Sequence, residues 1–505
     1  MRPLSCISAA LGLAAAALPA TAQSPAREPY PGLDAYVTAT LKTWNVPGIA
    51  LAIVRHDSVI YLKGYGVRTV GRPDPVDDQT IFAIGSCTKA FTAAGIAMMV
   101  DEGKMRWDDP VTKYLPGFQV ADPYVTREIT LRDLLTHRTG IDRAEFLWYR
   151  SGLDRAEIVR RVRFLQQKAG FRSQFTYNNM MYLVAGQALA AVSGGTWDDF
   201  VQHRILDPLG MRSTTLTIRG LETQPDVSSP HRVKDGVEHA VPWANVDNIA
   251  PAGSINSNVR DMAQWVRLQL RHGTFGGKTL IKAASLDETH KLLTPIPVGP
   301  PSPSSPVVHY LGYGMGWGTH DYDGHVELEH TGGIDGFLAH VALLPDDDFG
   351  IVLLSNDETT PMYGAIADWL LDRELKVSSP RDWNAVMHQS YTKARAQVDS
   401  AEARENAKRV PDTHPTLSLE RYAGTYTDSM YGPATVTVND GKLVFTRAEM
   451  IADLEPWNYD TFRANWRVGI ADHTLMTFIL DPTGKISGIM MDLAGDSVVF
   501  HHAGQ

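Results

Sequence analysis

Cysteine is almost missing from this chain: Cys6 and Cys87 are the only two in 505 residues. Cys6 lies ahead of the apolar run Ile7 to Leu18, in a segment with the marks of an export signal. Arg2 supplies its positive charge, and Ala20-Thr-Ala22 is a small-residue cleavage site before Gln23. Loss of residues 1–22 leaves Cys87 alone, which excludes an intramolecular disulfide. A basic excess is also missing. The net charge of −10 argues against a nucleic-acid partner, which needs a basic face. No later apolar run is long enough to cross a bilayer, so we expect an exported protein, periplasmic or secreted, with no membrane span. Gly-x-Ser-x-Gly and His-Glu-x-x-His are absent. His325 and His330 face opposite sides of a strand, so they make a poor metal pair. Gly312-x-Gly-x-Gly316 is followed by no helix and is no nucleotide loop. We expect no metal and no cofactor.

What is present is organised around Ile81-Phe-Ala-Ile-Gly-Ser-Cys-Thr-Lys89. An apolar run ends at Gly85, and the uncharged Ala90 to Val100 reads as a buried helix beginning near Ser86. Positions i and i+3 share a helix face, so the Ser86 hydroxyl and Lys89 amine can meet. Burial lowers an amine's pKa, and a neutral lysine beside a serine can take its proton. Cys87 points away from that face and reads as a small buried hydrophobe. The spacing alone is weak evidence, because Ser390-Tyr-Thr-Lys393 repeats it in a polar, charged segment that reads as a solvated helix face.

The 44% hydrophobic fraction and the length allow two or three domains. Gly48 to Val54 and Val59 to Val67 read as an antiparallel hairpin. Residues 104–250 read as mostly helical, and a further helix follows Pro251-Ala-Gly253. Residues 294–306 hold six prolines and read as an exposed loop on the cleft's rim. Strands return at Val326 to Leu328, Leu338 to Leu344 and Gly350 to Leu354, then a helix runs to about Leu375. Residues 376–415 read as a charged helical linker. From Ser418, strands at 422–427, 434–438, 442–446, 475–480 and 497–501 alternate with turns, as in a small antiparallel barrel or sandwich.

Two other stretches can serve Ser86. In Tyr177-Asn178-Asn179 a phenol near a lysine can have its pKa lowered and relay protons, and Asn179 could orient that lysine. Alternatively the triplet is a buried tyrosine and a helix cap. His330-Thr331-Gly332-Gly333 lies at a polar break between strands. Thr331 can hydrogen-bond a carboxylate or carbonyl, the glycines admit a substrate backbone, and an N–H here could join that of Ser86 as an oxyanion hole. Alternatively it is a Gly-rich turn.

Ser-x-x-Lys, Tyr-x-Asn and His-Thr-Gly follow one another at gaps of 91 and 153 residues. This resembles the penicillin-recognising serine hydrolases, in the branch of class C β-lactamases, DD-peptidases, D-aminopeptidases and esterases. Thr130-Leu-Arg-Asp-Leu-Leu-Thr-His-Arg-Thr-Gly140, Pro251-Ala-Gly253 and Gly312-Tyr-Gly-Met-Gly-Trp317 resemble it too. The likeness covers residues 33–375. It implies an α/β part with a mainly antiparallel sheet, an all-α part, and a cleft between them. It implies Ser86 as nucleophile, Lys89 and Tyr177 as coupled proton carriers and Asn179 as support. It further implies that the substrate lies along the edge of His330, Thr331 and Gly332, with the N–H groups of Ser86 and Gly333 as oxyanion hole. Tyr422-Ala-Gly-Thr-Tyr426 and the rest of 416–505 resemble an appended lipocalin-like β-barrel, a possible surface for homo-oligomers. Most β-lactamases of this kind have Lys where His330 stands. A neutral histidine, charged only as pH falls through 6 to 7, favours hydrolysis of peptide, amide or ester bonds over that of β-lactams. The alternatives are a β-lactamase and an inactive peptide-binding protein on this scaffold.

Overall fold

The computed structural model describes residues 28–503, apart from 235, 359–360, 469–472 and 494–495. The expected export signal lies outside the described residues.

Alternation in three strands explains the first layer. In Gly48–Arg55, Ile49, Leu51 and Ile53 face one core while Ala50, Ala52 and Val54 face another. Phe349–Ser355 and Phe337–Leu344 divide their side chains the same way. A strand buried on both faces belongs in the middle of a covered sheet. The antiparallel sheet has eight strands. Their order is Ser58–Gly66, Gly48–Arg55, Phe349–Ser355, Phe337–Leu344, His325–Ile334, Gly318–Tyr322, Leu311–Tyr313 and Thr294–Pro295. Helices Leu33–Trp44 and Met362–Glu374 cover one face. On the other, Trp265 of helix Val259–Leu270 stacks on Phe91 at 3.8 Å.

Phe91 belongs to helix Thr88–Asp101, the axis of the helical region. Every residue from Thr88 to Met99 is buried, and Lys89 is the single charge among them. An all-apolar helix needs neighbours on all sides. Helices Asn179–Ser193, Ala250–Gly253 and Ala283–His290 supply them. Thr92 donates to the Pro251 carbonyl at 2.7 Å and accepts from the Trp197 indole at 2.9 Å, which ties the axis to residues 250–253.

Past the sheet, helix Trp383–Asn406 begins anchored to the helices of the first layer. Trp383 is buried and donates to Asp372 at 2.7 Å, and Asn384 accepts from Trp44 at 2.8 Å. The rest of the helix is largely exposed. Eight consecutive antiparallel strands from Gly424–Asp428 to Asp496–His502 then form a closed barrel, with Tyr426 opposite His502. Tyr422, Phe462 and Phe478 fill its interior at ring separations of 4.8 to 5.4 Å. Sequence alternation missed Met450–Asn458, Thr461–Trp466 and Ile486–Leu493. The first breaks register at Pro456, and the last holds Gly488 and two methionines, so neither reads as a strand. The barrel touches the helical region directly: Arg161 donates to the Met430 carbonyl at 2.8 Å and Glu449 N–H to the Arg150 carbonyl at 3.3 Å.

The proline-rich loop corrects an expectation. No residue of 294–306 lines the cavity at Ser86. Pro303 and Ser305 instead accept from Arg381 near the start of the long helix.

Candidate active site

Ser86 sits on a single 3₁₀ turn, Gly85–Cys87, that feeds helix Thr88–Asp101. Two glycines make that turn possible. Gly85 has φ +47°, and a Cβ there would fall 2.9 Å from Gly333 N. A Cβ on Gly332 would fall 1.9 Å from the Ile84 carbonyl oxygen. The Ser86 turn and the strand therefore meet backbone to backbone. Gly332 makes room for the protein, not for a ligand. Gly333 has open space around it and lines a cavity of about 510 Å³ that Ser86 also lines.

Lys89 is fully buried, one turn along. Its Nζ lies 2.9 Å from Ser86 Oγ, 2.7 Å from Asn179 Oδ1 and 2.9 Å from the Ala252 carbonyl oxygen. Burial pushes its pKa down to about 7, with Glu145 pulling upward and Arg143 downward. Two partners are pure acceptors, so they take the two hydrogens of a neutral amine. The lone pair is then left facing the Ser86 hydroxyl.

The Tyr177 hydroxyl donates to the same Ser86 oxygen at 2.7 Å. The expected lowering of this phenol's pKa is not found. Burial raises it, only partly offset by the bond to Ser86, so Tyr177 stays protonated. Asn178 caps helix Asn179–Ser193, accepting from Met180 and Met181 N–H. That frees Asn179, the next residue, to reach Lys89.

His330 and Thr331 do not line the cavity. The His330 ring is turned inward: Nε2 accepts from the Tyr313 hydroxyl at 2.8 Å, and Nδ1 donates to the Thr331 carbonyl at 2.6 Å. Burial, reinforced by Lys89, brings its pKa down to about 4. It is neutral throughout the range from pH 6 to 7, where charging was expected. Cys87 is buried, with its thiol toward the His330 carbonyl at 3.3 Å and away from the cavity. Ser390 and Lys393 lie on the long helix, where Lys393 faces solvent.

A family model described as Beta-lactamase matches residues 33–376, and a second, described as a domain of unknown function (DUF3471), matches 408–502. The chain belongs to the beta-lactamase family. Within that serine hydrolase family it is 31% identical over 449 residues to the Unguisins hydrolase ungD of Aspergillus violaceofuscus (strain CBS 115571), covering 82% of this chain and 78% of that one. It is 29% identical over 317 residues to Penicillin-binding protein 4 of Amycolatopsis lactamdurans, covering 62% and 81%. The octameric penicillin-binding protein homologue from Pyrococcus abyssi shares the fold, with a TM-score of 0.62 at 20% identity over 92% of this chain and 99% of that one.

The beta-lactamase motifs do not include the rest of the cavity wall. Glu145 accepts from the Asn179 amide at 3.0 Å, the Trp148 indole at 2.8 Å and the Arg143 guanidinium at 3.0 Å. Further out, Asp335 accepts from Tyr149 at 2.7 Å and Arg150 at 2.9 Å, and Arg232 pairs with Glu358. Glu145 carried one signal: a lone acid among Phe146, Trp148 and Tyr149. Asp335 and Glu358 carried none, because only the fold brings them to this wall.

Proposed function

We propose that the chain is a serine hydrolase that acts through an acyl-enzyme on amide or ester bonds of peptide-like substrates. The observation that carries this is the set of three partners around Lys89 Nζ. They hold a buried amine that loses its proton near neutral pH, with its lone pair then on Ser86. Lys89 takes the hydroxyl proton as Ser86 Oγ bonds to the substrate carbonyl carbon. The oxyanion sits against the N–H groups of Ser86 and Gly333. As the bond to the leaving group breaks, the proton passes back to that group through the Lys89–Tyr177 pair. Water then cleaves the acyl-enzyme and restores Ser86.

Of the strand motif, we assign Gly333 to the substrate. His330, Thr331 and Gly332 act behind it. A neutral, inward-turned His330 offers a substrate carboxylate no charge, which supports peptide amides and esters over β-lactams. A relative named as a hydrolase supports hydrolysis as the reaction type. We also read residues 1–22 as an export signal and the barrel as an assembly surface. N-terminal sequencing of exported protein and light scattering test these two readings.

The test is fluorophosphonate labelling with intact-mass analysis, followed by turnover of p-nitrophenyl esters, D-amino-acid amides and nitrocefin. One adduct on Ser86, with esters or amides turned over faster than nitrocefin, is expected. No adduct favours a binding protein, and efficient nitrocefin hydrolysis favours a β-lactamase.

A further inference from the structure

The direction of the Lys89 lone pair depends on which end of the Asn179 amide faces the lysine. Asn179 carries an acceptor and a donor of nearly equal shape. Presenting its NH₂ to Lys89 would leave the amine hydrogens one acceptor short and would draw the lone pair away from Ser86. Nothing within Asn179 prevents this. The restraint lies on its other side. Asn179 Nδ2 is 3.0 Å from Glu145 Oε2 and 3.3 Å from Oε1, and a carboxylate can only accept. Glu145 is itself pinned, with Arg143 Nε 3.0 Å from Oε1 and Trp148 Nε1 2.8 Å from Oε2. Its side chain is 15% exposed. The donors thus converge on Glu145: Arg143, Trp148 and the Asn179 NH₂ all donate to its carboxylate, which leaves the Asn179 oxygen to accept from Lys89.

We propose that Glu145 is a positioning residue that holds the Asn179 oxygen toward Lys89 and thereby aims the lysine lone pair at Ser86. This rests on the hydrolase reading above. Glu145 acts through Asn179 and takes no proton in the reaction.

The probes are a neutral fluorophosphonate and p-nitrophenyl acetate, used on the full chain. Neither carries an amine or carboxylate that Glu145 could bind directly. At pH 9, Glu145→Ala is expected to slow Ser86 labelling roughly ten- to a hundredfold, the scale of a misaimed catalytic group. Glu145→Gln retains one acceptor for three donors, so it recovers part of that rate and serves as the folded control. In an Asn179→Ala background, Glu145→Ala should change the rate less than about twofold, because the residue it acts through is gone. The acid limb of the labelling profile should also move to lower pH in both Glu145 variants, since Glu145 otherwise favours the charged lysine. A merely structural residue would lower the unfolding midpoint and leave that limb in place. Wild-type labelling at Ser86, combined with losses that multiply in the double variant or an unmoved limb, overturns the Glu145 role alone. No Ser86 adduct in the wild type overturns the hydrolase reading and this role with it.

Discussion

Ser86–Lys89 and Ser390–Lys393 have the same spacing, yet their surroundings differ in nearly every respect. Lys89 is fully buried and surrounded by Ser86, Asn179 and the Ala252 carbonyl. Lys393 faces solvent. Tyr177 donates to Ser86. The neighbour of Ser390, Tyr391, packs on Trp44 instead, at 5.3 Å. Spacing places two side chains on one face, but only burial makes the amine a base. The surroundings of Ser86 are thus assembled by segments distant in sequence, and the arrangement can be broken layer by layer.

The largest effect is expected at the nucleophile. Ser86→Ala should reduce kcat by at least about 10⁴-fold, as loss of a serine nucleophile does elsewhere. Ser390→Ala should leave kcat and labelling unchanged. Mass spectrometry of probe-labelled protein checks both, and an adduct on Ser390 or Cys87 would reverse the comparison. The next layer is the proton path. Lys89→Ala and Tyr177→Phe should each slow acylation roughly 10²- to 10⁴-fold. Because both act on one oxygen, the double variant should be little worse than the poorer single one. Stopped-flow acylation rates for the four proteins decide this, and multiplying losses would mean the two groups act independently.

Burial of Lys89 has its own signature. Acylation needs the neutral amine, so its rate should rise with pH through about 7 and level off above. Below that limb it should fall about tenfold per unit. Lys89→Arg stays charged at every accessible pH, so it should show neither limb nor useful rate. Lys393→Arg should leave the profile intact. A limb near the ordinary lysine value would mean that water reaches Lys89.

The parts of this arrangement legible in sequence are those that a short segment carries by itself. Ser86 and Lys89 were legible because a 3₁₀ turn running straight into a helix keeps them three residues apart on one face. Tyr177 and Asn179 were legible because a helix start, capped by Asn178, presents both. Glu145 was not, since its meaning arises only when the 143–149 segment meets helix Asn179–Ser193. The inward turn of His330 depends on Tyr313, across the sheet from it, and strand period alone cannot distinguish facing a substrate from facing a tyrosine. In the fold, the central strands were legible as near-continuous apolar runs. Two barrel strands, Met450–Asn458 and Ile486–Leu493, were not, because closure of a barrel tolerates Pro456 and Gly488 where an isolated strand would not.

The outermost layer should give the smallest effect. Tyr313→Phe removes the hydroxyl that His330 Nε2 accepts and keeps the ring that packs 4.9 Å from His137. The imidazole cannot answer by charging, because burial already brings its pKa down to about 4. Nor can it turn around freely, because Nδ1 is held at 2.6 Å to the Thr331 carbonyl. A buried acceptor is therefore left unpaired, at a cost of roughly 1–3 kcal/mol in stability. Denaturant midpoints at constant slope measure it. Catalysis should change only severalfold, because Ser86, Lys89 and Tyr177 keep their hydrogen bonds. The loss should be equal for nitrocefin and for a p-nitrophenyl ester, and it should not vary between pH 6 and 7. If His330 faced the substrate, freeing its Nε2 would change carboxylate-bearing nitrocefin more than the ester. That selective change would return His330 from packing to recognition.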